Sequence, residues 1–176
     1  MSSPLPETFA TSRLQAERLI AAHLPDLCRM DQDPGMMAWL GGVRDSAGTQ
    51  AYLERNLAHW AEYGFGLYLL RDLTTATVVG RACVRHLMLH GQDEIEIGYG
   101  FLPPFWGRGL ATEIAHACVS FGLDKLGWPS VVGLTLRENR GSQRVLVKAG
   151  LSYEREATHA GQQHMLYRGR RTSSTG

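Results

Sequence analysis

With 176 residues and a mass of 19.5 kDa, the chain has the length of one domain and can bury a substantial core. Hydrophobic residues at 44% and charged residues at 20% exclude a disordered chain and a disulfide-dense miniature scaffold. Lys and Arg number 18 against 17 Asp and Glu, a formal charge of +1, which removes the broad electrostatic case for a nucleic-acid or membrane-surface partner; any anion must be held locally.

In chain order, residues 13–19 read as a first strand, and Leu24-Pro25-Asp26 opens a helix with proline in its first turn. Asp33-Pro34 interrupts that helix, because the residue before proline is pushed out of the α region. Over residues 50–63 a longer helix places Leu53, Leu57 and Trp60 on one stripe, and Gly64 stops it. The apolar runs 65–70, 77–87 and 94–102 are too short for helices, and their links are short enough for hairpins, so they predict successive antiparallel strands. From Gly109 the pattern turns helical, with Leu110, Ile114, Ala117, Cys118 and Phe121 about a turn apart, ending at Gly127-Trp128-Pro129. Residues 131–136 form a buried strand, 140–149 a helix closed by Gly150, and 151–156 and 164–168 the last two strands.

The result is an α/β (α+β) domain with a mixed central sheet of about seven strands, an antiparallel N-terminal meander and about four helices. One domain is expected over residues 1–176, with its core at about 11–168 and a flexible tail over 169–176. The three cysteines, Cys28, Cys83 and Cys118, are far apart and form no C-x-x-C pair, against a disulfide framework or a structural zinc. Neither a basic leader with an apolar run nor a stretch of about 18 apolar residues occurs, so the expectation is a soluble, cytoplasmic protein, monomeric or homodimeric.

The chemically informative stretch is Pro103-Pro104-Phe105-Trp106-Gly107-Arg108-Gly109-Leu110-Ala111-Thr112-Glu113, where a strand ends and a helix begins. Two glycines leave the backbone uncovered where the first helical amides lack partners, and the helix dipole adds about half an elementary charge. Such a cradle holds a diphosphate without a basic surface, and Arg108 adds a donor at the rim. The bland reading is a tight turn with a solvated arginine. The loop lacks the Gly-Lys-Ser/Thr ending of a P-loop, and as a dinucleotide fingerprint it has Thr112 at the third glycine. A second stretch runs from Asn139 to Leu151: Asn139 suits an N-cap, and Ser142 falls in the first turn of the following helix. Helices following two neighbouring strands begin at the same sheet edge, where ligands commonly bind.

Glu96-Ile97-Gly98-Tyr99, then Trp106 through Glu113, then Asn139-x-x-Ser142-x-Arg144-Val145 to Lys148-x-Gly150 resemble the GNAT superfamily of acetyl-coenzyme A-dependent N-acetyltransferases. The similarity is nearest to the ribosomal-protein, RimJ/RimL-like branch, whose opening is matched by Thr11-x-Arg13-Leu14, Asp33-Pro34 and Leu40-Gly41-Gly42. The resemblance implies a GNAT-like fold with a sheet splayed at the cofactor site and coenzyme A as the only cofactor, with no metal. Its diphosphate would rest on Trp106, Gly107, Arg108, Gly109, Leu110, Ala111 and Thr112, with Asn139 and Ser142 beside it. Because Trp106 stands where the family has Gln or Arg, the cradle there rests on amides. The strand ending at Phe101 and Leu102 would pair with the pantetheine arm as with an added strand, until Pro103-Pro104 ends the pairing.

Acetyl transfer to an amine needs a neutral nucleophile, a polarised carbonyl and a proton for the leaving thiolate. An α-amine costs only about 1 kcal/mol to deprotonate at neutral pH, against about 4–5 for a lysine. Glu96 and Glu94 share one strand face and are the candidate bases, Glu96 nearer the cofactor end; the alternative is a solvated strand face. Ser142 is the acid that the family implies, or else an ordinary first-turn serine. A backbone N–H between Tyr99 and Phe101 would polarise the carbonyl, as the family also implies. Tyr99 lines the pocket or packs in the core, and Trp39, Trp60 and Tyr63 wall the acceptor site or pack in the core. His86, His90, His116, His159 and His164 are scattered and show no metal-binding pair. The acceptor is then a protein N-terminal amine or a small amine of aminoglycoside or polyamine type; the contrasting reading is a catalytically inactive coenzyme A-binding module.

Overall fold

The computed structural model describes residues 5–172. β1 (Thr8–Ala10) and β2 (Leu14–Arg18) form a hairpin, followed by α1 (Leu24–Asp31), the short α2 (Pro34–Met37) and α3 (Ser46–Tyr63). The meander continues with β3 (Leu67–Asp72), β4 (Val78–Leu89) and β5 (Gln92–Phe101). Then come α4 (Leu110–Ser120), β6 (Ser130–Thr135), α5 (Arg140–Lys148) and the hairpin of β7 (Ser152–His159) and β8 (Gln162–Arg170). All eight strands share one sheet in the order β1-β2-β3-β4-β5-β6-β8-β7, antiparallel except where β6 follows β5 through the α4 crossover.

Strand alternation divides the core between the two faces. On one face Tyr68, Leu70, Val84, Ile95 and Ile97 pack under Ile114, Ala115 and Cys118 of α4 and Leu146 of α5. On the other, Leu67, Leu69 and Cys83 pack under Leu27, Met30, Met36 and Leu53 of the N-terminal helices. Glu94 and Glu96 therefore point to the face opposite α4 and α5, while Tyr99 points toward those helices.

Strands β5 and β6 meet at a single bridge, Glu96 opposite Val132, and then part. Beyond it β5 stays with β4 up to the pair Gly80–Phe101, and β6 stays with β8 up to Thr135–Met165. The Leu102 amide donates to the Val79 carbonyl at 2.9 Å, which makes that pair, and by alternation Arg81–Gly100 and Cys83–Gly98, the hydrogen-bonded ones. The amides of Tyr99 and Phe101 therefore point away from β4 and into the gap.

Several details depart from the sequence expectation. The sheet has eight strands, in keeping with the expected seven or so; the one that the sequence did not mark is β1, whose three residues are too few to show an alternation. Helix α3 starts four residues early because Asp45 caps it, accepting from the Gly48 amide at 2.8 Å. A π-helical turn, Phe121–Lys125, replaces the last turns of the helix expected after Gly109. Strand β8 runs to Arg170, into the segment expected as tail; residues 173–176 of that segment lie outside the described residues.

A Cβ at Gly80 would lie 2.3 Å from the Gly100 carbonyl oxygen and 3.0 Å from the Phe101 Cα, both backbone. Gly80→Ala therefore pushes β4 off β5 beside the gap and should lower unfolding stability by about 1–3 kcal/mol, read as a lower urea midpoint. An unchanged midpoint would contradict this packing.

Candidate active site

Gly107 and Gly109 have φ of 72° and 77°, a left-handed conformation that side chains with a Cβ rarely adopt. Gly109 caps α4, and the first intrahelical bond shown there runs from the Glu113 amide to the Gly109 carbonyl at 3.1 Å. The amides of Leu110, Ala111 and Thr112 precede it and have no partner within the helix. They meet the positive end of the helix dipole, an arrangement suited to an anion. Arg108 is exposed at the rim, its guanidinium carbon 5.5 Å from the centre of the Phe105 ring.

The cradle is braced from the N-terminal hairpin. Arg13 donates from Nη1 to the Arg108 carbonyl at 2.7 Å, and from its amide and Nε to the two Glu113 carboxylate oxygens, each at 2.8 Å. The Thr11 hydroxyl donates to the same carboxylate at 2.6 Å. Burial raises the Glu113 carboxyl, but the bonds from Thr11 and Arg13 outweigh it and hold the group below the ordinary glutamate value. An acid in the first turn of α4 is thereby kept charged yet neutralised beside the anion cradle.

From the cradle a cleft of about 700 Å3 follows the edge of β5 through the gap to the opposite face of the sheet. Asn139 caps α5 by accepting from the Ser142 amide at 3.1 Å, so its bland reading holds while it also lines the cleft. The Tyr99 hydroxyl lies 3.0 Å from Ser142 Oγ and donates to the Ser142 carbonyl at 3.1 Å. Burial pushes the Tyr99 phenol up to about 12, against the bond to Ser142, so it is a proton holder at neutral pH. At the end of β6, Thr135 Oγ1 is buried and has no hydrogen-bond partner among the described residues.

Glu96 lies on the floor of the cleft, and Arg85, its cross-strand partner, donates from Nε to Glu96 Oε2 at 2.6 Å. Glu94 is instead gripped by Arg168, whose Nη1 and Nη2 reach its two oxygens at 2.8 and 2.7 Å away from the cleft. The structure thus separates two carboxylates that the sequence left as alternatives. Phe101 borders the gap, whereas the Leu102 amide is spent on Val79 and the residue does not line the cleft, a correction to its expected role. Trp106 donates from Nε1 to the Phe101 carbonyl at 2.7 Å, so its side chain braces the strand end.

Of the three aromatic residues expected to wall the acceptor side or pack in the core, Trp39 lines the cleft and Trp60 is core, donating to the Leu67 carbonyl. Tyr63 stacks on His86. His164 borders the cleft; among the described residues no group of three or more His, Cys, Asp or Glu could hold a metal. The sequence did not mark Arg44, which the loop before α3 brings to Arg81 and Arg85 of β4, nor Thr135 at the end of β6, all of which line the cleft.

Residues 13–152 match the family described as acetyltransferase (GNAT) domain, and the chain belongs to that family. It is an acetyl-coenzyme A-dependent acyltransferase. The uncharacterized YkkB of Bacillus subtilis is 29% identical over 123 residues, 70% of this chain and 72% of that protein. The acetyltransferase of Agrobacterium tumefaciens strain C58 has a similar fold, with a TM-score of 0.83 at 24% identity, covering 97% of this chain and 98% of that one. RimL, a ribosomal L7/L12 alpha-N-protein acetyltransferase solved in complex with coenzyme A, superposes with a TM-score of 0.77 at 16% identity over 93% of this chain and 98% of its own. The residues present fit that cofactor: a glycine-edged cradle for a diphosphate, and, along the same cleft, a Thr135 hydroxyl and β5 amides without partners among the described residues for a polar arm.

Arg13→Ala should cost about 1 kcal/mol at pH 7, because its guanidinium is half-exposed and screened by solvent. The stabilisation through Glu113 is complete above the unfolded glutamate value of 4.5 and is lost as pH falls through the lower folded value. Urea unfolding at pH 7 and pH 3 should therefore show the wild-type advantage at the higher pH and a smaller one at the lower. An equal difference at both would remove the Glu113 bond as its source.

Proposed function

We propose that the protein transfers an acetyl group from acetyl-coenzyme A to a primary amine by direct attack in a ternary complex, and that the acceptor is the α-amine of a protein N-terminus. The observation that carries this reading is the parting of β5 and β6, which joins the anion cradle to Glu96 through one continuous cleft. Bound there, acetyl-coenzyme A supplies an activated acetyl thioester. The amides of Leu110, Ala111 and Thr112 hold its diphosphate, and the free amides of Tyr99 and Phe101 orient the arm and polarise the carbonyl. Glu96 accepts a proton from the amine, and Ser142, with the Tyr99 hydroxyl beside it, donates to the departing sulfur.

Two further observations support direct attack on an α-amine. Cys83 borders the cleft, but burial pushes its thiol up to about 11, so it is a poor nucleophile at neutral pH. A single carboxylate suffices for an α-amine, whose deprotonation costs about 1 kcal/mol. The RimJ/RimL-like opening of the chain and its fold likeness to RimL favour a protein N-terminus over a small amine. We place the protein in the cytoplasm, as a monomer or homodimer; among the described residues no helix is long and apolar enough to cross a membrane.

The test is thiol release from acetyl-coenzyme A with a panel of N-terminal peptides and small amines. Wild type should turn over at least one peptide; binding of coenzyme A without turnover of any acceptor would assign a binding module instead. Glu96→Gln should lower kcat by about 100-fold near pH 7, with coenzyme A affinity unchanged. The deficit should shrink toward pH 9, where the α-amine, with a pKa near 8, sheds its own proton. A pH-independent deficit would take the proton from another base.

A further inference from the structure

We infer that the acceptor carries an anionic oxygen group, a carboxylate or phosphate, close to its amine, and that Arg44 and Arg85 receive it. This inference rests on the amine-acetylation reading and names the substrate class of that site. On the face opposite α4 and α5, the cleft is bordered by three guanidinium groups, from Arg44, Arg81 and Arg85, and by Tyr52. Among the described residues Glu96 is the only carboxylate that lines it.

The three arginines are not equally free. Arg81 is buried, with 5% of its side chain exposed, and donates to Asp31 Oδ1 at 2.6 Å and to Met37 Sδ at 3.4 Å. Asp31 lies behind it, fully buried, and also accepts from Arg44 Nη1 and the Thr49 hydroxyl, each at 3.0 Å. That carboxylate is fully engaged. Arg44 keeps 26% of its side chain exposed, lies over the Tyr52 ring at 4.3 Å, and has Nε and Nη2 without a protein acceptor among the described residues. Arg85 keeps 32% exposed and spends only Nε, on Glu96, which leaves Nη1 and Nη2 unpaired among the described residues.

Three cations therefore face two carboxylates, Asp31 and Glu96, an excess of one positive charge. The incoming ammonium raises the excess to two, and it stays at two when Glu96 takes that proton, because one carboxylate then remains. An anionic group on the acceptor offsets this excess where it arises, through charge-assisted bonds to planar guanidinium forks suited to carboxylate and phosphate. A polyamine or aminoglycoside would bring further positive charge against the same arginines. The recognised unit is thus an amine flanked by an acid, which either a free amino acid or an N-terminal segment with an acidic residue beside its first can present.

Paired acceptors test this directly: the peptide amides Ser-Asp and Ser-Asn, and serine against serinamide. Wild type should favour the anionic member of at least one pair by about tenfold or more in kcat/KM, less at high salt, and the favoured pair names the source of the acid. In Arg44→Gln the ratio should fall to within about threefold. Equal use of both members in both pairs, or a preference that survives Arg44→Gln, would overturn the inference. Calorimetric titration of the same pairs into protein saturated with coenzyme A reads the preference without chemistry. There, a tenfold difference without turnover would sink the enzyme reading and sustain the anion site, whereas equal binding sinks the anion site whatever the turnover. Should Arg44→Gln fail to fold, the wild-type pairs and their salt dependence decide alone.

Discussion

A sheet strand with an unpaired edge inside a protein carries donors and acceptors that must find partners. Here β5 is committed to β4 over ten register pairs and β6 to β8 over six, so the two can share only the bridge at Glu96 and Val132. Their divergence exposes part of a central strand in the middle of a folded sheet, where an extended ligand can complete the pairing. Tyr99 reaches across the gap to Ser142 and Trp106 ties off the Phe101 carbonyl, so the opening is bounded at both margins by hydrogen bonds. The cleft that joins the N-terminus of α4 to Glu96 and Ser142 follows from this one parting.

The two ends of the cleft manage charge by different means. At the α4 end the positive potential comes from oriented peptide groups, and Glu113, the one nearby acid in that turn, is bound by Arg13 and Thr11. At the other end it comes from guanidinium groups layered on Tyr52, two of them tied to a fully buried Asp31. The first kind of positive potential is fixed by the backbone, whereas the second comes from side chains of which Arg44 and Arg85 keep spare donors among the described residues.

Much of this was legible in the sequence because it depends on local rules. The glycines at 107 and 109, the asparagine three residues before Ser142, and the alternation around Glu96 each act over a few residues, and the structure shows the local geometry they imply. What could not be read depends on long-range pairing. Glu94 and Glu96 are indistinguishable along the strand, and only Arg168 on a distant strand and Arg85 on the neighbouring one tell them apart. Leu102 looked like part of the pairing edge, but hydrogen-bond parity, set by the β4–β5 register, turns its amide toward Val79. The arginine cluster gathers side chains from the loop before α3 and from β4, and no window of sequence contains it.

The Arg13 contacts also bear on how the chain can be divided. They join the corner between β1 and β2 to groups about a hundred residues further along, including the carbonyl of Arg108 in the glycine-edged loop before α4. The first hairpin is therefore a strut for that loop as well as an outer strand pair. Shortening the protein from its beginning past that corner would remove the side chain that holds the Arg108 carbonyl and Glu113, and so loosen a loop that no deleted residue adjoins in sequence.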